Sequence, residues 1–201
     1  DDLSRATSDL EKMLCVLDFH YQWNQAFTPE SGLKQILESA LKISGAERDF
    51  IMTRNGDEFR YAAGLDGKGN RLLESHFQTS RSIVREVVSK GKPVFMIEGI
   101  DANFAAQASI VAMNLRAIAC MPLLGFSAHG GAAQIHGILY LDSTNAMHSL
   151  SGLDQKILSK LAVEAGNVLE QVEMIKNFEQ RKTMERDLAL AEETQRNLLP
   201  R

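Results

Sequence analysis

Residues 151–199 contain no proline and only Gly152 and Gly166 as weak points, so they constrain the rest of the chain more than any other stretch. Leu158, Leu161, Ala165, Val168, Val172 and Ile175 recur in steps of three and four, while Glu164, Glu170, Glu173 and Lys176 stay off that seam. The pattern predicts one long amphipathic helix that needs partners. At about 1.5 Å per residue it reaches roughly 70 Å, longer than a domain of this size is wide, so part of it is expected to leave the body. The seam also slips. Strict repetition from Ile175 requires apolar residues where Glu179, Lys182 and Arg186 stand, and apolar residues resume at Met184, Leu188, Ala191 and Leu198. A charged gap of this kind changes coiled-coil register, which makes 179–182 either a hinge or the point where the helix frays.

The chain has 201 residues, 44% hydrophobic and 24% charged, enough for one well-formed core with extensions but not for two full domains. A net charge of −4 without a basic cluster argues against nucleic acid or an acidic membrane surface as partner. Cys15 and Cys120 lie far apart and lack C-x-x-C or histidine-paired spacing, which fits a reducing cytoplasm better than a disulfide framework or a zinc site. No segment reads as a membrane span or a secretory signal, and a cytoplasmic location is expected. Because the sequence opens on Asp1 and stops at Arg201, both ends are expected to be cut from something longer.

Ahead of the long helix, Leu3, Leu10, Leu17 and Asn24 stand seven apart, with Ala6, Met13, His20 and Phe27 three residues after each, so 1–28 carries a heptad seam of its own. His20 and Asn24 on that seam either set register or mark a frayed end. Thr28-Pro29 reads as a helix start, Leu33, Ile36, Leu37, Ala40 and Leu41 as its apolar face, and Gly45 as its close. Strands over 49–54 and 58–63 flank Asn55-Gly56-Asp57, where Asn-Gly suits the two positive-φ positions of a type I′ turn. The glycine-rich run 64–70 lacks phosphate-loop spacing and reads as a flexible connection. A short amphipathic helix over 80–90 ends at Gly91, and a strand over 93–97 starts on Pro93. The small-residue-rich 98–115 sits where a lid would sit, part loop and part short helix. Strands over 116–124 and 135–143, joined by a Gly/Ala-rich linker, complete the order. Hairpins rather than repeated βαβ units predict an α+β fold: a mainly antiparallel sheet of five to six strands, flanking helices, and long N- and C-terminal helices.

Ser109-Ile110-Val111, Leu115-Arg116, Cys120-Met121-Pro122-Leu123 and His136-Gly137-Ile138-Leu139-Tyr140-Leu141-Asp142 are followed by Leu150-Ser151-Gly152-Leu153-Asp154. In order and spacing these segments resemble the GAF domain, a small-ligand sensory module of signalling proteins. Ser82-Ile83-Val84 through Gly91-Lys92-Pro93-Val94 is similar to the family's helix that leads into the third strand. The resemblance covers about residues 30–172 and departs at Leu150, where the family usually has phenylalanine. It implies three parts: an N-terminal heptad helix over 1–28, a GAF sensory domain over 29–172, and a signalling helix over 173–201. A second resemblance lies in Glu185-Arg186-Asp187-Leu188-Ala189-Leu190-Ala191, Gln195-Arg196 and Leu198-Leu199-Pro200. It is similar to the segment that precedes the catalytic domain of bacterial PPM-type serine phosphatases, which control sigma-factor antagonists. That implies a phosphatase domain beyond Arg201 and assigns no catalytic residue to the chain itself, which is expected to be non-catalytic.

The five histidines, His20, His76, His129, His136 and His148, show no i, i+4 pair and no clustering with cysteine, so a metal site is not expected. Heme ligation by His76 or His148 is disfavoured against a surface or capping role. Cys120 reads as a small buried hydrophobe rather than a bilin attachment point, and it lacks the resolving partner that a methionine sulfoxide reductase would need. Cyclic-nucleotide-binding relatives carry Asp-Glu four residues after a phenylalanine, whereas Phe104 is followed at that spacing by Ala108-Ser109. No cofactor is therefore required. The resemblance implies a pocket between sheet and lid, formed by Asp101, Asn103, Phe104, Ser109 and Met113 with Cys120 and Tyr140, suited to a small organic ligand or else simply closing a core. The expected function is a regulatory sensor that acts as a homodimer through its N- and C-terminal helices and passes its signal to the phosphatase. The alternatives are a dimerisation scaffold without ligand, and a cyclic-nucleotide-binding GAF domain feeding a kinase or cyclase.

Overall fold

The computed structural model describes residues 29–56, 58–98, 108–125, 134–145 and 150–198, with Ala6, Thr7, Leu10 and Leu14. The seam expected over 1–28, Cys15 included, lies almost wholly outside the described residues, as do the linker 126–133 and residues 99–107.

Helix α1 (Pro29–Ser44) turns Ile36, Leu37, Ala40, Leu41 and Ile43 into the core. It ends as its sequence predicts: Gly45 takes φ 64° and its N–H donates to the Leu41 carbonyl at 2.8 Å. Strands β1 (Arg48–Asn55) and β2 (Glu58–Asp66) follow as a hairpin. The turn differs from the type I′ Asn-Gly expectation, because Asn55 is still paired with Glu58 and belongs to the ladder. Only the glycine of that Asn-Gly pair needs positive φ, at 64°, while Asn55 keeps strand geometry. Strand β2 also runs to Asp66, past the expected end at 63, with Ala62 as the extra residue of a bulge between the Ile51–Ala63 and Met52–Tyr61 pairs. The stretch expected as a flexible connection is a tied turn: the Asp66 carboxylate accepts from the Lys68 and Asn70 N–H groups at 2.9 and 2.8 Å and from Asn70 Nδ2 at 3.0 Å.

A single 3-10 turn (Glu74–His76) leads to α2 (Arg81–Lys90), which closes on Gly91 at φ 61°. Then come β3 (Val94–Ile97), α3 (Ala108–Ala112), β4 (Ala117–Gly125), β5 (Gln134–Ser143) and α4 (Gly152–Leu198), a helix of 47 residues. The five strands form one antiparallel sheet in the order β2-β1-β5-β4-β3. Pro122 is tolerated inside β4 because β3 pairs only with residues 117–120, so the missing N–H withdraws no bond from that neighbour.

The sheet has two buried faces. Helices α1 and α4 cover one, where Leu158, Leu161, Ala165 and Val168 meet Ile51, Ala119, Met121, Leu139 and Leu141. The apolar seam of α4 is thus spent on the domain's own core as far as Val172 and is not free for a partner over that length. Gly166 is a close-approach residue rather than a weak point, since a Cβ there would lie 2.2 Å from the Leu124 carbonyl oxygen. At the start of α4, Ser151 and Asp154 form a reciprocal cap: the Asp154 N–H donates to Ser151 Oγ at 3.2 Å, and the Ser151 N–H donates to Asp154 Oδ2 at 3.0 Å. Beyond Val172 the helix is exposed from Glu173 to Ala191, and it runs unbroken through the charged gap at 179–182.

Candidate functional site

The other face of the sheet carries the second buried cluster, which includes residues expected to line a pocket. Strand alternation turns Phe50 and Met52 of β1, Ile118 and Cys120 of β4, and Ile138 and Tyr140 of β5 to this side. Cys120 and Tyr140 are directly opposed in the ladder, which brings two of the residues anticipated for a pocket together. Met113, just after α3, packs against the same cluster. Ser109 lies in α3, while Asp101, Asn103 and Phe104 fall outside the described residues.

Tyr140 is fully buried, and its phenolic oxygen accepts from the Ser80 N–H at 3.1 Å, tying the N-cap of α2 to the middle of the sheet. Burial pushes the Tyr140 hydroxyl well above its ordinary range, and the Asp142 charge adds to the shift. Burial likewise pushes the Cys120 thiol up, which leaves it a protonated, weakly nucleophilic group suited to packing. Around these two, Phe50, Tyr61 and Phe77 form an edge-to-face triangle with ring centres 5.4 to 6.4 Å apart. Tyr61 Oη donates to the Leu72 carbonyl and so fastens the segment before α2 to the edge of the sheet.

The charged element of this face is a pair that the sequence alone did not bring together. Arg48 in β1 and Asp142 in β5 stand opposite each other, and Nε and an Nη of the guanidinium donate to the two carboxylate oxygens at 2.8 and 2.6 Å. Asp142 has no exposed surface, whereas Arg48 remains partly open and lies 5.8 Å above the Phe50 ring. Burial pushes the Asp142 carboxyl above its ordinary range, opposed by the bonds and charge of Arg48. The sequence signal for this pair was weak: Arg48 opens β1 beside a second charge, Asp49, and Asp142 stands near the end of β5. Next to it, Glu47 accepts from the Thr144 N–H and hydroxyl at 2.8 and 2.7 Å and from the Asn145 amide, so the exit of β5 is fixed to the entry of β1.

At the far end of the sheet a second bulge, between Leu123–Gly137 and Leu124–Ile135, leaves His136 as the extra residue. The bulge aims its ring at α4, with Nδ1 2.9 Å from Glu173 Oε2, where the helix leaves the body. Gly125 makes room for that ring, since a Cβ there would sit 2.5 Å from His136 Nε2. His76 is exposed in the 3-10 turn, and His20, His129 and His148 lie outside the described residues. Among the described residues there is no cluster of three or more His, Cys, Asp or Glu side chains arranged to hold a metal ion, and no helix is long and apolar enough to cross a membrane.

Known structures share this arrangement. The third GAF domain of Slr1393 from Synechocystis sp. PCC6803, solved in its photoproduct state, superposes with a TM-score of 0.59 at 13% identity, covering 75% of this chain and 99% of that one. The GAF domain of a phosphoenolpyruvate-protein phosphotransferase from Coxiella burnetii gives 0.58 at 12% identity, with 84% and 98% covered. The A. aeolicus nlh2 GAF domain in an inactive state gives 0.56 at 18%, with 82% and 98% covered. At these identities the likeness is one of fold. No curated protein matches the sequence. The sequence itself matches the GAF domain family over residues 28–169. With that match spanning most of its length, and its antiparallel five-stranded sheet between two helical layers, the chain belongs to the GAF domain family.

Proposed function

We propose that this domain is a cytoplasmic regulatory sensor that binds a small ligand or partner on the Tyr140 face of the sheet and passes the change along α4 to an effector. The observation that carries this reading is the abrupt change along α4. The helix is anchored in the core as far as Val172 and exposed from Glu173 onward, with Met174, Ile175, Phe178, Met184 and Leu188 all facing solvent. Met174–Phe178 and Met184–Leu188 are i, i+4 pairs on that exposed length, as a helix that pairs with a second copy would need. Binding is assigned to Asp101, Asn103, Phe104, Ser109 and Met113 with Cys120 and Tyr140. The Arg48–Asp142 pair and the Ser80 N–H supply polar groups beside them. The similarity of 185–200 to the segment that precedes PPM-type serine phosphatases supports such a phosphatase as the effector.

The full burial of Cys120 and Tyr140 favours a second reading, a dimerising scaffold whose face is closed by its own side chains. A thermal-shift screen against small metabolites separates the two. A ligand that raises the melting temperature, and loses its effect when Cys120→Trp fills the face, supports the sensor. No hit across the screen supports the scaffold. Sedimentation of the chain with and without 176–201 tests the pairing, and a monomer in both forms removes the dimer from either reading.

A further inference from the structure

The molecule has a cleft of about 380 Å³ on the opposite face, between α1 and the edge strand β2, and no part of the sensor reading uses it. Its origin is local. The bulge at Ala62 and the alanine at 63, opposite Ile51, put small side chains on β2 where it passes beneath α1. Leu33 and Leu37 of α1 and Leu65 of β2 join them, so the lining is mainly aliphatic. The next residue, Gly64, cannot carry a side chain, because a Cβ would lie 2.6 Å from the Phe50 ring, and its backbone adds to the wall. Two cations, Lys34 and Arg71, stand on the lining. Among the described residues Lys34 has a loose, solvent-exposed contact with Glu38 at 3.6 Å, and Arg71 makes no ion pair. The volume lies within the range of small-molecule sites.

We infer that this cleft is a second binding site, for a free amphiphilic carboxylate whose aliphatic body lies on Leu33, Leu37, Ala62 and Ala63 while its carboxylate meets Lys34 and Arg71. Charge complementarity selects this occupant. A neutral apolar molecule would make no use of the two solvent-exposed cations at the mouth, and a compact anion would leave the aliphatic floor uncovered. Helix α1 packs on both the sheet and α4, so occupation bears directly on the helix that leaves the body. This site lies on the other side of the sheet from Tyr140, and its test is independent of the sensor reading.

Decanoate below its micellar concentration is the probe, added to the full 201-residue chain and followed by calorimetry and amide chemical shifts. Saturable binding is expected, with shifts centred on residues 33–37 and 62–71. Ala63→Leu, which fills the cleft, abolishes it. The paired surface substitution Lys34→Gln with Arg71→Gln weakens it at least about tenfold while leaving the fold intact, the loss expected for charge-assisted hydrogen bonds. Any of three results overturns the inference. One is no binding at all, as when the chain's own residues 1–28 fill the cleft. Another is shifts confined to the Cys120–Tyr140 face. The third is affinity unchanged in the charge-removed variant, or equal for decanol, which shows only nonspecific apolar adsorption.

Discussion

The two faces of the sheet both bury apolar side chains, more on the α1/α4 side, but treat their charges in opposite ways. On the Tyr140 face the buried carboxylate of Asp142 is answered by both arms of Arg48. On the helix face Asp49, next to Ile51 in β1, has no exposed surface, accepts only a long bond of 3.3 Å from the Leu65 N–H, and has no partner for Oδ2 among the described residues. Burial raises its pKa from 3.8 to about 9, so at neutral pH it is held as a neutral acid. One face thus answers its buried carboxyl with a guanidinium where ligand chemistry is expected, and the other tolerates a lone carboxyl only by keeping it protonated.

The largest effect expected from this contrast is a pH dependence of stability. Between pH 3.8 and about 9 the folded chain holds a proton on Asp49 that the unfolded chain releases. Asp49 therefore contributes most below about pH 4, and stability falls by up to about 1.4 kcal/mol per unit as pH rises to about 9. Urea unfolding across this range should show that slope, and Asp49→Asn should flatten it; a slope that survives the substitution would break the contrast. Next in size is Arg48→Ala, which strands the Asp142 carboxylate and should cost about 3 kcal/mol, the low end for a broken buried pair because Arg48 is partly open to solvent. Gly166→Ala forces α4 away from the Leu124 backbone and should cost about 1–3 kcal/mol by overpacking, with amide shifts running along β4. Tyr140→Phe removes only the acceptor for the Ser80 N–H and should cost about 1 kcal/mol, read in the same urea experiment.

Much of this molecule was legible in its sequence, because local rules carried it. The glycines at 45 and 91 and the period of Leu158 to Val168 each act within a few residues, and the structure has helix ends and a buried stripe where they predict them. Register was less legible. Which residue of Asn55-Gly56-Asp57 opens the turn depends on how far the ladder runs, and the two bulges at Ala62 and His136 depend on the partner strand. The site divided along the same line. Cys120 and Tyr140 were readable as inward strand positions, whereas the Arg48–Asp142 pair joins residues 94 apart and becomes visible only once β1 is laid beside β5. The helical seam misled in one respect, since periodicity reports a buried stripe without saying what buries it. As far as Val172 it is the chain's own sheet.

Pro122 matters beyond the sheet's own hydrogen bonds. Since β3 stops alongside Cys120, the outer edge of β4 from Met121 to Gly125 has no strand neighbour among the described residues. This is the most apolar strand of the domain, and an open edge of that composition invites a strand from another molecule. A proline two residues past the end of the pairing interrupts the row of donors that an incoming chain would need. The residue that looked like a tolerated irregularity in β4 thus protects the protein against edge-to-edge aggregation.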